Sequence, residues 1–599
     1  MALFDSASDA RFLFKISGFE LDLSLVSFTV SEAISAPFSV SMSVASEFDI
    51  PDIGSVVGKE ALLTIVNDTS GGITLDLDAD IDTSRYFHGM VRKFEYSGMS
   101  GSYYLYDVHL VPTLWTLSLK TNCRIFQDKN AQDIIKEVLE KVGITGERVR
   151  FALTNRNRMR GFCVQYRETD FNFISRLMEE EGIFYFFEHY EDKHVVVLSD
   201  SRVVHVPIEG EPEICFRQGG SMVADQESVH AFTVSHRLQP GAYTARNFSF
   251  KNPALNLTVE KKAQTNQHYE IYDYSGNYVD PKRGGDFARV RQEEFAAQAQ
   301  RGHGASSSPR LIPGCTFFLA DHDCADFNQE YLLVSLEHSG TQPQSLEEGA
   351  GGTASYHNQF TVIPYTVTYR SPQNTPKPFV TGVQTAIVVG PKGEEIHVDE
   401  LGRIKVQFHW DRQGQGDDKS SCWIRAAQAW AGGGWGAVFT PRVGDEVLVD
   451  FIEGDPDRPI VVGSVYNGNN PTLYNPAASK TVSGFRTKSY KAAGFNELRF
   501  EDKAGSEQIY VHGQKDLAIQ VNNDRTQSYG GNSTTSVKGN TNATVGGNSQ
   551  TSVTGTMTKS AKEITLLADS KITLVCGGST IVIDPSGIKI NGTLVKINN

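Results

Sequence analysis

Alternating apolar and polar positions run through residues 1–375. Phe12, Phe14 and Ile16, then Leu21, Leu23 and Leu25, alternate with polar neighbours, as strands with one buried face do. Two windows carry the helical period instead. Ile134, Ile135, Val138, Leu139 and Val142 share one face of 131–142; Phe171, Ile174, Leu177 and Met178 share one face of 170–181, with Gly182 placed to stop it. Residues 286–300, with Phe287, Val290, Phe295 and Ala299, predict a third helix. Residues 1–375 therefore read as a β-rich α+β region of two subdomains. The proline-rich stretch 371–378 predicts a boundary. In 376–475, short strands at 402–410, 437–440, 446–452 and 460–465, separated by Gly, Asp and Pro turns, predict a small barrel of the OB type.

Residues 476–515 read as a connector holding the first strands of a C-terminal region, 516–599, whose pattern is the most regular in the chain. An apolar or aromatic residue recurs every eight positions: Val521, Tyr529, Val537, Val545, Val553. Gly531, Gly539, Gly547 and Gly555 each follow two residues after one of the last four, and Asn532, Asn540 and Asn548 come next. Paired apolar residues continue the pattern at Ile564/Leu566, Ile572/Leu574, Ile581/Ile583, Ile588/Ile590 and Val595/Ile597. In 526–556, 23 of 31 residues are Ser, Thr, Asn or Gly, which by composition alone predicts disorder. Composition does not explain the phase, however. Eight residues suffice for one strand of about 17–20 Å and one corner. Glycine is expected at the corner for its tolerance of positive φ. One strand per face leaves its edges unpaired within a single chain. Three intertwined chains satisfy those edges and turn the valines toward a common axis. The prediction is a triple-stranded intertwined β-helix and an obligate homotrimer.

Charge narrows the functional classes. The net charge is −15, and thirteen acidic against nine basic residues leave 376–475 at −4. A negative barrel is a poor phosphate binder, so no nucleic-acid partner is expected. The N-terminus carries no basic-then-apolar leader, and no apolar run reaches the roughly eighteen residues of a membrane span. Seven cysteines, widely spaced at 123, 163, 215, 315, 324, 422 and 576, predict reduced thiols and cytosolic synthesis.

Candidate chemistry is sparse. Asp321-His322-Asp323-Cys324-Ala325-Asp326 is the densest run of ligand-type residues, but neighbours in an extended segment point to alternate sides, which predicts a polar loop. Glu453, Asp455 and Asp457, interleaved with Gly454 and Pro456, predict a turn with solvated charges. Cys163 reads as a small buried residue, and Gly432-Gly433-Gly434 lacks the Lys-Ser/Thr of a phosphate loop. No catalytic, cofactor or metal residue is expected.

Four longer stretches carry a family likeness: CRIFQDKNAQDIIKEV (123–138), CVQYRETDFNFISRLMEEEGIFYFF (163–187), DELGRIKVQFHWDR (399–412) and GWGAVFTPRVGDEVLVDFIEGDPDRPIVVGSVYN (434–467). The chain resembles the VgrG family, trimeric spikes of the bacterial type VI secretion system. The resemblance implies a phage-baseplate-hub-like domain, an OB-fold joint and a trimeric needle. It implies docking of the hub on an Hcp-type tube and a PAAR-type tip protein or toxin at Val595, Lys596, Ile597, Asn598 and Asn599. An adaptor chaperone, transient membrane contact during puncture, and release from the cytoplasm through the apparatus follow from the same likeness. A phage-tail hub-spike of the same build and a cell-wall-degrading spike enzyme are the alternatives. Residues 471–514 leave no room for a lysozyme domain. The stop after the last apolar pair reads as a short, unfused form, and with His512 the last histidine, no His-x-His iron site is expected at the tip.

Overall fold

The computed structural model describes residues 11–66, 84–154, 159–218, 227–274, 276, 278–342 and 354–598, in two compact units, Met1–Lys515 and Asp516–Asn599.

In the first unit the alternating segments form one large sheet of twelve strands among the described residues. Its path runs Phe12–Ile16, Glu60–Ile65, Arg85–Ser100, Tyr103–Val111, Ala36–Ser46, Ser24–Ala33, Glu330–Thr341, Ser355–Pro364, Gln300–Ser306, Val229–His236. The antiparallel pairing of Ser24–Ala33 with Glu330–Thr341, which sets Val30 opposite His338, ties the start of this region to its end. Phe12, Phe14 and Ile16 are buried, as their alternation requires.

Three helices pack on this framework. α1 (Ala131–Glu140) starts at Asn130, whose side chain accepts the Asp133 N–H, and buries Ile134, Ile135, Val138 and Leu139. α2 (Asp170–Glu181) is capped by Thr169 and stops at Gly182, where φ is 71°. Its buried face holds Phe173, Ile174, Leu177 and Met178; Phe171, expected there, is half-buried. α3 (Pro281–Ala299) begins five residues before the expected 286. Asp280 accepts from the Lys282 and Arg283 N–H groups and Pro281 occupies the first turn, a start signal readable as Asp-Pro.

The barrel is a five-stranded sheet in the order Lys405–Phe408, Gln384–Val389, Glu446–Phe451, Pro459–Val465, Arg425–Ala426. Its core of Val388, Val406, Phe408, Val447, Val449 and Phe451 is joined by Ile125, Phe162 and Tyr166 from the preceding region. Residues 437–440, expected as a strand, are not one. The Ala437 N–H bonds to the Trp430 carbonyl at 2.9 Å and the Phe439 N–H to Gln428 Oε1 at 2.8 Å, closing an arm outside the sheet. Among the described residues no helix is long and apolar enough to cross a membrane.

Candidate assembly interface

Up to residue 571 the second unit lacks what ordinarily holds a fold together. Every residue of 513–571 is exposed, and among the described residues no backbone N–H of 517–571 bonds to a backbone carbonyl. The backbone nevertheless keeps an eight-residue period: it bends at 514–515, 522–523, 530–531, 538–539, 546–547 and 554–555, with neither helix nor strand ladder between. Gly531, Gly539, Gly547 and Gly555 sit at the second residue of four of these bends. Val521, Tyr529, Val537, Val545 and Val553 stand at or beside the bends, all exposed, Val545 by 56%.

The reason expected for the glycines needs correcting. None of the four lies in the left-handed region, and a Cβ on any of them would meet nothing within 4 Å in this chain. Neither backbone strain nor intrachain crowding explains them.

Beyond residue 571 the rule changes. Ile572–Cys576, Ser579–Asp584 and Gly587–Asn591 form an antiparallel meander within the chain, rather than single strands that pair across copies. Its register sets Ile572 opposite Ile583 and Ile583 opposite Ile588, with Leu574, Ile581 and Ile590 as the next row. Three of the apolar pairs thus share one face, on which Leu574, Ile581, Ile583, Ile588 and Ile590 are exposed. Past the last strand, Val595 and Ile597 are exposed and Lys596 and Asn598 flank them; Asn599 lies outside the described residues.

A similar open face closes the first unit. In the sheet of Val482–Arg486, Glu497–Glu501 and Gln508–His512, the row Phe485, Leu498, Val511 and the row Ser483, Phe500, Ile509 share one side. Phe485, Leu498, Ile509 and Val511 are all exposed.

The candidate chemical groups are held in structural pairs. Asp321 pairs with Arg217 at 2.9 Å, and His322 Nδ1 accepts the Cys324 N–H within the loop. Asp455 and Asp457 are not solvated, as the sequence suggested. Lys377 Nζ lies 2.7 Å from Asp455 Oδ1 and 2.8 Å from Asp457 Oδ2, and Asp457 Oδ1 accepts the Val164 N–H at 2.6 Å. Burial pushes the Asp455 carboxyl up. Burial alone would lower the Lys377 ammonium, but Asp457, Asp455 and Glu180 hold it above its usual value. Burial pushes the nearby Cys163 thiol up to about 12, so it is no nucleophile at neutral pH. All seven cysteines are unpaired, and among the described residues no group of three or more His, Cys, Asp or Glu is placed to hold a metal.

A second network gave no sequence signal. Glu32 accepts from Arg85 Nη2 at 2.9 Å, and the Nε2 atoms of His189 and His338 lie 3.2 Å from its two oxygens. Thr113 N–H donates to His194 Nε2, so neutral His194 carries its proton on Nδ1 and points it at His88 Nδ1, 3.1 Å away. The His88 backbone N–H donates to His189 Nδ1. Burial would raise the Glu32 carboxyl, but Arg85 and the two imidazoles hold it well below its usual value.

Three families match the chain in succession. Residues 31–344 match the phage tail baseplate hub (GPD) family, 385–466 the type VI secretion system/phage-baseplate injector OB domain, and 483–571 the bacteriophage T4 gp5 C-terminal trimerisation domain. The last match ends where the intrachain meander begins. Hub, injector barrel and trimerisation segment in one chain define the class: a baseplate hub fused to a spike. Within that class, the chain belongs to the VgrG family of type VI secretion spike proteins. It is 37% identical over 506 residues to the spike protein VgrG1b of Pseudomonas aeruginosa, covering 83% of this chain and 66% of that one. With VgrG1a of the same organism it is 39% identical over 465 residues, covering 76% and 72%. The actin cross-linking toxin VgrG1 of Vibrio cholerae is 39% identical over 443 residues, 73% of this chain but 40% of the toxin. The chain thus spans about two thirds of the length of the Pseudomonas relatives. An E. coli type VI secretion component, described as similar in structure to the T4 tail proteins gp27 and gp5, shares the fold with a TM-score of 0.54 at 21% identity, over 76% of this chain and 99% of that one. A VgrG-containing Francisella complex with PdpA matches 97% of this chain and 87% of its own at a TM-score of 0.54 and 9% identity.

Proposed function

We propose that this chain is a structural spike of a type VI secretion apparatus. Three copies assemble through the C-terminal segment, the assembly seats on an Hcp-type tube through the hub, and it punctures target membranes carrying effector proteins at its end. The observation that carries the reading is the stretch 517–571: periodic, fully exposed and without backbone pairing of its own, inside the part that matches a trimerisation domain. An ordered strand with unpaired edges needs other strands, and here they come from other copies. Val521, Tyr529, Val537, Val545 and Val553 line the shared axis, and Gly531, Gly539, Gly547 and Gly555 leave room for a neighbouring chain at the bends. Val595, Lys596, Ile597, Asn598 and Asn599 form the seat of a PAAR-type tip protein or tip-bearing toxin. The exposure of Ile597, 76%, supports that role. The spike works by assembly and force, with no catalysis or cofactor of its own. It is made in the cytoplasm and leaves through the apparatus, touching membrane only in transit.

Multi-angle light scattering tests the core of this reading. The chain mass is 66.0 kDa, and the purified protein is expected at three times that value at micromolar concentration. The same preparation lacking residues 592–599 should keep that mass and lose capture of a PAAR-type tip protein in a pull-down. A monomer overturns the assembly; undiminished capture overturns the tip seat.

A further inference from the structure

The barrel carries an arm that its own fold does not use. In 428–439 the Gly432 N–H bonds to the Trp435 carbonyl and the Ala437 N–H to the Trp430 carbonyl, both at 2.9 Å. The two indoles meet edge-to-face, 4.9 Å between centroids at 68°. Glycine is required for this packing: a Cβ on Gly432 would lie 2.4 Å from the Trp435 ring, and one on Gly436, at φ 142°, would lie 2.4 Å from the Trp430 carbonyl oxygen. The hairpin is therefore preformed, yet it holds Trp430 63% and Trp435 59% exposed, with Val438 and Phe439 exposed behind them. Soluble surfaces seldom present so many large apolar side chains together without a partner.

The patch does not end at the barrel. Phe439 stacks on Phe485, with centroids 5.9 Å apart and planes 12° apart, and Phe485 opens the bare face that continues through Leu498, Phe500, Ile509 and Val511. Arg442 Nη2 to the Lys488 carbonyl and Tyr490 Oη to Glu394 Oε2, both 2.7 Å, fix the barrel to this sheet. One continuous apolar surface thus begins in the barrel and runs into the stretch that matches a trimerisation domain, 483–571. No charged residue lies in 426–441, so nothing on the arm selects a charged partner.

We infer that the 428–439 arm is a clasp that seats on a neighbouring copy of this chain, extending the assembly interface from the needle into the barrel. The inference rests on the trimeric reading above. Aromatic side chains that bury a large area at little entropic cost, two of them indoles with an N–H to donate, suit the core of such an interface. The open outer edges of Val482–Arg486 and Gln508–His512 offer the matching carbonyls.

Hydroxyl-radical footprinting of the purified full chain, read by mass spectrometry, tests this. After correction for intrinsic reactivity, Trp430, Trp435 and Phe439 should oxidise at least about fivefold more slowly than Phe48, which is 64% exposed, because an interface core excludes water. In a second arm, Trp435→benzoylphenylalanine should give, on irradiation, adducts that join two copies. A monomer by light scattering overturns the trimeric reading and the clasp with it. A trimer whose Trp430 and Trp435 react as fast as Phe48, or whose probe joins no second copy, overturns the clasp alone.

Discussion

At the scale of single residues the chain is held by buried charge and by histidines kept neutral. His88, His189, His194, His205 and His338 all have their protonated forms disfavoured by burial, His205 down to about 4, where it stacks on Phe184 with Nδ1 2.7 Å from the Gly314 carbonyl. The direction of the effect follows from proton counts. A histidine whose folded pKa lies below the unfolded value near 6.5 binds more protons when unfolded, so stability is complete above pH 6.5 and falls as the pH drops below it. The loss is at most about 1.4 kcal/mol per pH unit per group. For His205 it continues down to about pH 4. Glu32 adds a further loss in a lower window, as the pH falls below the ordinary carboxylate range toward its depressed value. Thermal unfolding of the hub should therefore have a lower midpoint at pH 5 than at pH 7.5. A midpoint that is flat or rises on acidification would contradict the neutral assignment.

At the scale of elements, the octad makes the sharpest prediction. Val545→Asp in a trimer gathers three carboxylates at the shared axis, each desolvated and repelled by the others, so assembly should be lost. Thr544→Asp, one residue along, should face solvent in the proposed trimer and leave the mass unchanged. Size-exclusion chromatography of the two variants decides it; equal behaviour means that the phase is misassigned. The contrast also marks what could be read from sequence. Periodicity yielded α1, α2 and the eight-residue bends because each is a local pattern repeated over several turns or strands. It set Phe171 on the buried face, where that ring packs half-buried against the core, and it missed Gln384–Val389 and Arg425–Ala426 as strands, the second being two residues long and paired only at long range. The Asp455–Asp457 turn read as solvated because the residue that buries it, Lys377, lies about eighty positions away and reaches it only through tertiary packing. For the histidine network there was nothing to read, since its members come from five strands of the large sheet and its neighbours.

At the scale of the whole molecule, the question is how the hub and the barrel are joined. The connecting segment 371–378, expected as a boundary, is tied to both of its neighbours. Arg370 Nη1 donates to the carbonyls of Gly182 and Asp200, and the Thr375 N–H and hydroxyl both bond to Glu179. Lys377 then crosses to Asp455 and Asp457, while the Val164 N–H from the hub holds Asp457 from the other side. Trp410 of the barrel meets Tyr166 of the hub edge-to-face at 5.8 Å. Hub and barrel are thus coupled by an ionic latch over an apolar contact. Lys377→Met removes the cation that bridges Asp455 and Asp457 and leaves the two carboxylates repelling each other. The cost should be roughly 3 kcal/mol, the low end for breaking a buried pair because the lysine keeps some exposure. Asp457→Asn on the same background removes that repulsion and keeps an acceptor for the Val164 N–H, so it should recover part of the loss. Differential scanning calorimetry is expected to resolve separate hub and barrel transitions in Lys377→Met, a single coupled one in the parent, and intermediate behaviour in the double variant. If Lys377→Met melts as one unit at the parent temperature, the apolar contact alone couples the two, and the latch carries no load.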